Sequence, residues 1–179
     1  MPMATQAKRW TLAELYRLPD DGNKYELVRG DLFVTPAPSV GHETILACLN
    51  EILVPFVVAN GLGKVFHPRA VVRFESSEVE PDLMVRRLHP DGSPDWDDAP
   101  TPSLVIEVLS DSTRRRDIGE KRQLYIDAGV PEYWIVDPED RSVVVVRPGD
   151  SDRRTTSQLI WTPTAAYQSL VIDVVANFG

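Results

Sequence analysis

The sequence predicts an α/β or α+β domain whose mixed β-sheet is flanked by helices, and three patterns carry this prediction. The near-continuous apolar run Leu104–Leu109 is typical of a central strand that is covered on both faces. Two apolar-alternating runs flank Arg29-Gly30-Asp31, which indicates an N-terminal β-hairpin. Further strand patterns are interspersed with two longer helical patterns. We expect residues 1–179 to form a single domain with a substantial core.

Composition excludes several classes of protein. Hydrophobic residues make up 42% of the chain and charged residues 26%, as in ordinary globular proteins. Because Cys48 is the single cysteine and there are three histidines, neither an internal disulfide nor a thiolate or poly-histidine zinc site is expected. No signal-peptide pattern or run of about 20 apolar residues is found, so we expect a cytoplasmic protein without a membrane partner. The net charge of −8 argues against nonspecific nucleic-acid binding.

The first third of the chain is expected to contain a short helix, the hairpin and a long helix. Thr11 caps the short helix, which Pro19 ends. The hairpin stops at the prolines that follow it, and a helix over residues 40–59 begins after Ser39. One apolar stripe of this helix faces the core. Its members are Ile45, Leu46, Leu49, Ile52 and Leu53. Pro55 either kinks or ends the helix.

The rest of the chain is predicted to form mainly strands. Residues 64–74 predict a strand interrupted at Pro68, and residues 79–86 predict the next one. Residues 87–102, which include four aspartates, predict an exposed loop, and the central strand follows. A helix over residues 113–128 ends at Gly129. Later patterns predict strands at 132–137 and 142–148, with a turn between them, and then a tail with a strand and a terminal helix or strand.

Three acids lie inside strand patterns, namely Glu26, Asp82 and Glu107. Alternation places Asp82 on the face of Met84 and Glu107 on the face of Leu109. If the two strands are neighbours, the carboxylates converge, and their repulsion raises a pKa or recruits a cation. Oxygen ligands favour Mg²⁺ or Mn²⁺. The alternative is an acid exposed at a sheet edge or paired with an arginine, and it is stronger for Asp82 because Glu107 has such apolar neighbours.

The ordered motifs resemble a nuclease family. Pro81-Asp82, followed by a spacer and by Glu107 in an apolar strand, resembles the PD-(D/E)xK nuclease superfamily. More closely, YELVRGDL, PAPSVGH, EPDLMV, IEVLSDST and GVPEYWIVDP resemble the Uma-two family, whose members are often labelled restriction endonucleases. The resemblance runs from Tyr25 to Pro138. It implies a restriction-endonuclease-like core and a Mg²⁺- (or Mn²⁺-) dependent endonuclease that hydrolyses DNA phosphodiester bonds.

The resemblance also implies roles for individual residues. Asp82 and Glu107 match the metal-binding acids, the main-chain carbonyl of Val108 would be a further ligand, and Glu26 would complete the site. Because two strands need two cuts, such nucleases often act as dimers, so a homodimer is expected. Two alternatives to an active DNA endonuclease stay open. The first is a nuclease-fold protein that no longer cleaves but binds nucleic acid or a protein partner. The second is a metal-dependent hydrolase that acts on another phosphoester.

The lysine of the superfamily motif is displaced in this chain. The motif places lysine two positions after the glutamate, where this sequence has Leu109. A substitute is Lys121, because the family shows a lysine in this helix and because Lys121 falls within an apolar stripe by i+3 and i+4 spacing. The other members of this stripe are Ile118, Leu124, Tyr125 and Ala128. The alternative is a surface ion pair of Lys121 with Asp117.

Four more side chains are candidates for contact with a substrate, each with a structural alternative. Ser110 and the hydroxyls that follow it either bind phosphate or cap the helix. His42 either contacts a substrate or makes local hydrogen bonds in the first turn of its helix. Arg114 and Arg116 either meet a DNA backbone or belong to a solvated basic face.

Overall fold

The computed structural model describes residues 8–93, 95–96, 99–163 and 168–178. Asp97 and Asp98, part of the acidic loop noted in the sequence, lie outside the described residues. The described helices are α1 (Leu12–Leu15), α2 (Val40–Ala59), α3 (Arg114–Arg116), α4 (Arg122–Asp127) and α5 (Val174–Phe178). A π-helical turn, Asp117–Lys121, joins α3 to α4.

Strands of the described chain form three sheets. The strands are β1 (Lys24–Val28), β2 (Asp31–Thr35), β3 (Lys64–Phe66), β4 (Val72–Phe74), β5 (Ser77–Val79), β6 (Leu83–Arg86), β7 (Leu104–Val108), β8 (Tyr133–Asp137), β9 (Ser142–Val146), β10 (Arg153–Thr155), β11 (Gln158–Trp161) and β12 (Leu170–Asp173). The largest sheet has the order β10-β9-β8-β7-β6-β3, a second has the order β2-β1-β5-β4, and β11 pairs with β12. Only β7 and β8 pair in parallel among the described strands, so the central sheet is mixed, as predicted.

β7 is the central strand that the sequence predicted. All five of its residues are buried between β6 and β8. Its alternate side chains enter two apolar clusters on opposite faces of the sheet. One cluster holds Ile106 together with the stripe of α2, and the other holds Val105 and Leu109 together with residues of the hairpin sheet and α4. Glu107 therefore points toward the second face, where the hairpin sheet and the helical segment lie.

Two predicted strand patterns are each divided between the central sheet and the hairpin sheet. The interruption predicted at Pro68 separates β3 from β4, whereas the single strand predicted over residues 79–86 was wrong, because Val79 ends β5 and Leu83 begins β6. Proline lacks the N–H that a ladder needs, and Pro68 and Pro81 lie at the two crossings between sheets. The crossing at Pro81 leads the chain directly into Asp82.

The N-terminal elements form in the expected order, but α1 ends at Leu15 and does not reach Pro19. Thr11 and Glu14 make a reciprocal capping box on α1. The hairpin turns through Arg29 and Gly30, whose φ angles are 50° and 86°, so both central residues are left-handed. α2 covers residues 40–59, and it continues past Pro55 instead of ending there.

α2 is the one helix of the described residues that is long and apolar enough, by length and composition, to cross a membrane. This is weak evidence for a membrane span, because core helices pass the same test. The predicted stripe of α2 packs into the core.

The π-helical turn changes which residues of the later helix face inward. The helical segment runs from 114 to 127, close to the predicted range. A π turn holds more residues than an α turn, so spacing counted in steps of three and four fails across it. Ile118 was expected on the inward stripe but is 45% exposed, whereas Lys121, Leu124 and Tyr125 are fully buried.

Candidate functional site

Four carboxylates meet where the hairpin, the central sheet and the helical segment come together, and we call them the acidic cluster: Glu26, Asp82, Glu107 and Asp117. β6 and β7 are antiparallel neighbours, with Leu83 opposite Ile106. Extending this register by one residue places Asp82 opposite Glu107. Both acids line one cavity of about 960 Å³ that opens to solvent. The strands of the two acids are therefore neighbours, which is the condition that the sequence set for their carboxylates to converge.

Asp82 is held by three groups from different parts of the chain. Its Oδ2 accepts a hydrogen bond from the Val108 N–H at 3.0 Å and lies 3.1 Å from Nε2 of His42. Its Oδ1 is 3.2 Å from Nζ of Lys24. Burial acts to raise the pKa of Asp82, but the charge of Lys24 and the hydrogen bond with His42 hold that pKa well below its usual range.

Glu107 is held by the helical segment. Nζ of Lys121 contacts Oε1 of Glu107, and the Tyr125 hydroxyl donates to the same oxygen at 2.7 Å. Lys121 thus points inward, and its ion pair with Asp117, at 3.9 Å, is buried rather than on the surface. Complete burial, opposed by the charge of Lys121 and reinforced by that of Asp82, raises the pKa of Glu107 to about 8.

Glu26 joins the two halves of the cluster. Its Oε1 accepts from Lys121 at 2.8 Å and from the Glu80 N–H at 2.9 Å, and its Oε2 lies 3.2 Å from the guanidinium of Arg116. Lys24 is 3.9 Å away. Burial acts to raise the pKa of Glu26, but the charges of these three cations lower it below its usual value. Glu26 is therefore an anion at neutral pH.

Sequence reasoning missed Lys24 as a site residue. A signal was present, because Lys24 and Glu26 are two positions apart in one strand and hence share a face. Arg116 was singled out, but as a contact to DNA. The side chain of Arg116 is 8% exposed and its guanidinium contacts Glu26 and the Thr35 hydroxyl, so Arg116 does not belong to a solvated face.

The other candidate residues separate into those at the cavity and one away from it. Ser110 and His42 line the cavity, and the His42 side chain contacts Asp82 at 3.1 Å and its neighbour Glu43 at 3.7 Å. The Ser110 hydroxyl interacts with the hydroxyls of Ser112 and Thr113. Arg114 lies elsewhere, in a bidentate ion pair with Asp137 at 2.8 and 2.9 Å. Contact of these residues with a substrate stays a prediction.

The donor chemistry of the site suits magnesium. No group of three or more His, Cys, Asp or Glu side chains within the described ranges is arranged to hold a metal ion. Mg²⁺ keeps several water ligands, however, and commonly binds proteins through one or two carboxylates plus substrate phosphate. Asp82 and Glu107 supply two carboxylates at one open cavity. The acidic cluster contains no thiolate, which disfavours a soft metal.

The raised pKa of Glu107 predicts how stability depends on pH. A group whose pKa is higher in the folded state stabilises the fold below its unfolded value, here 4.5, and this contribution is lost as pH rises toward 8. We expect the unfolding free energy of wild-type protein in chelator to fall by more than about 1 kcal/mol between about pH 5 and pH 8. In Glu107→Gln the decline should be smaller. Urea unfolding at several pH values measures this pH dependence. Parallel curves of unfolding free energy against pH for the two proteins would contradict the raised pKa of Glu107.

The comparisons with known proteins agree with the geometry. The family model Uma2, described as "Putative restriction endonuclease", matches residues 12–174. A crystal structure described as a "putative nuclease belonging to DUF820", from Anabaena variabilis, superimposes with a TM-score of 0.79 at 18% identity and covers 94% of this chain and 97% of its own. No curated protein matches the sequence. The prediction of a restriction-endonuclease-like core is thereby confirmed. Because the family model spans most of the sequence, the chain belongs to the Uma2 family, the Uma-two family that its motifs resemble.

Proposed function

We propose that this protein is a Mg²⁺-dependent endonuclease that hydrolyses DNA phosphodiester bonds at the cavity beside Asp82 and Glu107. The observation that carries the proposal is the meeting of these two acids, from neighbouring strands, at one solvent-open cavity. Membership in a family described as restriction endonucleases supports a nucleic-acid substrate. Two cuts in a duplex need two sites, so we also propose a homodimer.

Hydrolysis forms a bond from a water oxygen to phosphorus and breaks the bond from phosphorus to a sugar oxygen. One water proton ends on the leaving sugar oxygen and the other passes to solvent. A Mg²⁺ ion held by Asp82, Glu107 and the carbonyl of Val108 would polarise the phosphate and acidify a bound water. Mn²⁺ has the same preference for oxygen ligands.

The role of the surrounding side chains is to fix the two acids. The Val108 N–H and His42 orient the carboxylate of Asp82. Lys121 and Tyr125 orient Glu107 from the helical segment, and Glu26 anchors Lys121 in turn. Groups held in this way need little rearrangement when charge develops, which is the main source of electrostatic catalysis.

Two neutral, near-isosteric variants test the proposal. We expect wild-type protein to cleave DNA with Mg²⁺ or Mn²⁺ and not with EDTA. Asp82→Asn and Glu107→Gln should each lower the cleavage rate by at least about 100-fold, because each removes one ion-binding carboxylate. Glu132→Gln is the matched control, since Glu132 is a buried carboxylate paired with Arg147 away from the cavity. Cleavage at the wild-type rate by Asp82→Asn would contradict the proposal.

A second candidate is a nuclease-fold protein that binds nucleic acid or a protein partner without cleaving. It is favoured by the way Lys24, Lys121 and Arg116 already neutralise the acidic cluster, and by Leu109 in place of the motif lysine. Calorimetry with Mg²⁺ separates the two candidates. A binding isotherm that disappears in Glu107→Gln supports the nuclease, whereas no Mg²⁺ binding to wild-type protein supports the second candidate.

A further inference from the structure

We propose that Lys24, from the N-terminal hairpin, is the lysine that contacts the scissile phosphate, whereas Lys121 is a positioning residue. The inference rests on the proposed nuclease function. Both lysines contact the acidic cluster, but they differ in access to the cavity. The Lys121 side chain is 0% exposed, and Lys121 is not among the described residues that line the cavity. The Lys24 side chain is 17% exposed, and Lys24 lines the cavity together with Asp82 and Glu107.

The partners of Lys121 occupy its ammonium group. It contacts Glu26 at 2.8 Å and also Glu107, with Asp117 at 3.9 Å. An ammonium has three N–H donors. Three carboxylates therefore surround the three donors, and a phosphate would have to displace one of them in a fully buried place.

Lys24 has a different set of contacts. Its Nζ hydrogen-bonds to Oδ1 of Asp82 at 3.2 Å and lies 3.9 Å from Oε1 of Glu26. These two contacts leave donor capacity on the side of the cavity. A phosphate bound beside Asp82 would lie next to this ammonium, and a flexible four-carbon stem lets the ammonium follow it.

The two arginines along the described lining of the cavity have other partners. Arg116 is 7% exposed and binds Glu26 and Thr35. The Arg69 side chain, 56% exposed, lies 3.4 Å from Asp20 and 4.0 Å from Glu80. Among the lysine and arginine side chains described along the cavity wall, Lys24 is thus the one that contacts Asp82 directly.

The role assigned to Lys24 involves no proton transfer. Its ammonium donates a hydrogen bond to a non-bridging phosphate oxygen, on which negative charge grows while the water oxygen bonds to phosphorus and the sugar oxygen leaves. A fixed donor at this position stabilises the transition state more than the bound substrate. Lys24 would then replace the superfamily's motif lysine, whose position is occupied by Leu109 in this chain. It would reach the acids from the hairpin instead of from the end of β7.

The test combines Lys24→Gln, Lys24→Arg and a matched control. Lys64→Gln removes the same charge from an exposed position in β3. We expect Lys24→Gln to lower kcat for DNA cleavage by at least about 100-fold, Lys24→Arg to recover part of it, and Lys64→Gln to behave as wild type. Mg²⁺ binding, measured by calorimetry, should be at least as tight in Lys24→Gln, because a cation that shares Asp82 has been removed. A group that only supports the fold would weaken cleavage and Mg²⁺ binding together.

The outcomes separate the inference from the proposed function. If Lys24→Gln cleaves at the wild-type rate while Asp82→Asn is inactive, the role of Lys24 is overturned and the nuclease stands. If Lys24→Gln and Lys24→Arg both lose Mg²⁺ binding and thermal stability, Lys24 is structural and the inference falls. If wild-type protein cleaves no DNA, the proposed function is overturned and the inference with it.

Discussion

Lys121→Met is expected to lower the unfolding free energy by about 3–5 kcal/mol at neutral pH. The substitution keeps much of the side-chain volume but removes the ammonium that Glu26 and Glu107 share. Glu26 is fully buried and anionic at neutral pH, so it would keep its desolvation cost without this partner. Urea unfolding in the presence of chelator measures the loss.

Two comparisons make this result specific to the acidic cluster. Lys64→Met removes an exposed lysine and should change stability by less than about 0.5 kcal/mol. Adding Glu26→Gln to Lys121→Met should restore part of the loss, because the buried charge that lost its partner disappears. A cost below about 1 kcal/mol for Lys121→Met would show that the remaining cations, Lys24 and Arg116, neutralise Glu26 without help.

Gly63→Ala is expected to cost on the order of 3–5 kcal/mol of unfolding free energy. A Cβ at this position would lie 2.2 Å from the carbonyl oxygen of Arg86 and 2.7 Å from Cα of Arg87. These are backbone atoms and cannot rotate away, and the φ of 114° at Gly63 is strained for any residue with a side chain. The clash falls where β3 meets the end of β6, the strand that follows Asp82.

Gly61→Ala separates the clash from the backbone strain. Gly61 also has a positive φ, 61°, but no atom lies within 4 Å of the position of its added Cβ. We expect this variant to cost only about 1 kcal/mol. Thermal and urea unfolding of the two variants side by side measure the difference. Equal costs would mean that conformation alone, and not the contact with β6, requires glycine at position 63.

Local patterns were enough to predict much of the fold. The hairpin turn, the bounds of α2 and the buried central strand follow from short-range rules of turn chemistry, capping and periodicity. Strand alternation predicted that Asp82 and Glu107 converge if their strands are neighbours, and β6 and β7 do pair. The inward direction of Lys121 followed from its spacing to Leu124 and Tyr125, which lie beyond the π turn and keep regular helical spacing.

The predictions that failed share a physical cause, because they depend on contacts and backbone irregularities that local periodicity does not encode. A run such as residues 79–86 reads as one strand, but its division between two sheets at Pro81 depends on what pairs with each half. The π turn breaks the regular helical spacing, so Ile118 is 45% exposed whereas Asp117 and Lys121 are buried. Lys24 was missed because its partner Asp82 is 58 positions away in the sequence.

The ion pairs of the acidic cluster also bear on how the chain is made. Glu26 and Lys121 are separated by 95 positions, and both leave the ribosome in that order. Until Lys121 emerges, a nascent chain carries the hairpin and β7 without the ammonium that lets Glu26 and Glu107 be buried. Burial of these acids is then unfavourable, so the cluster closes late in synthesis. We therefore expect a chain that terminates before residue 121 to leave this site unassembled.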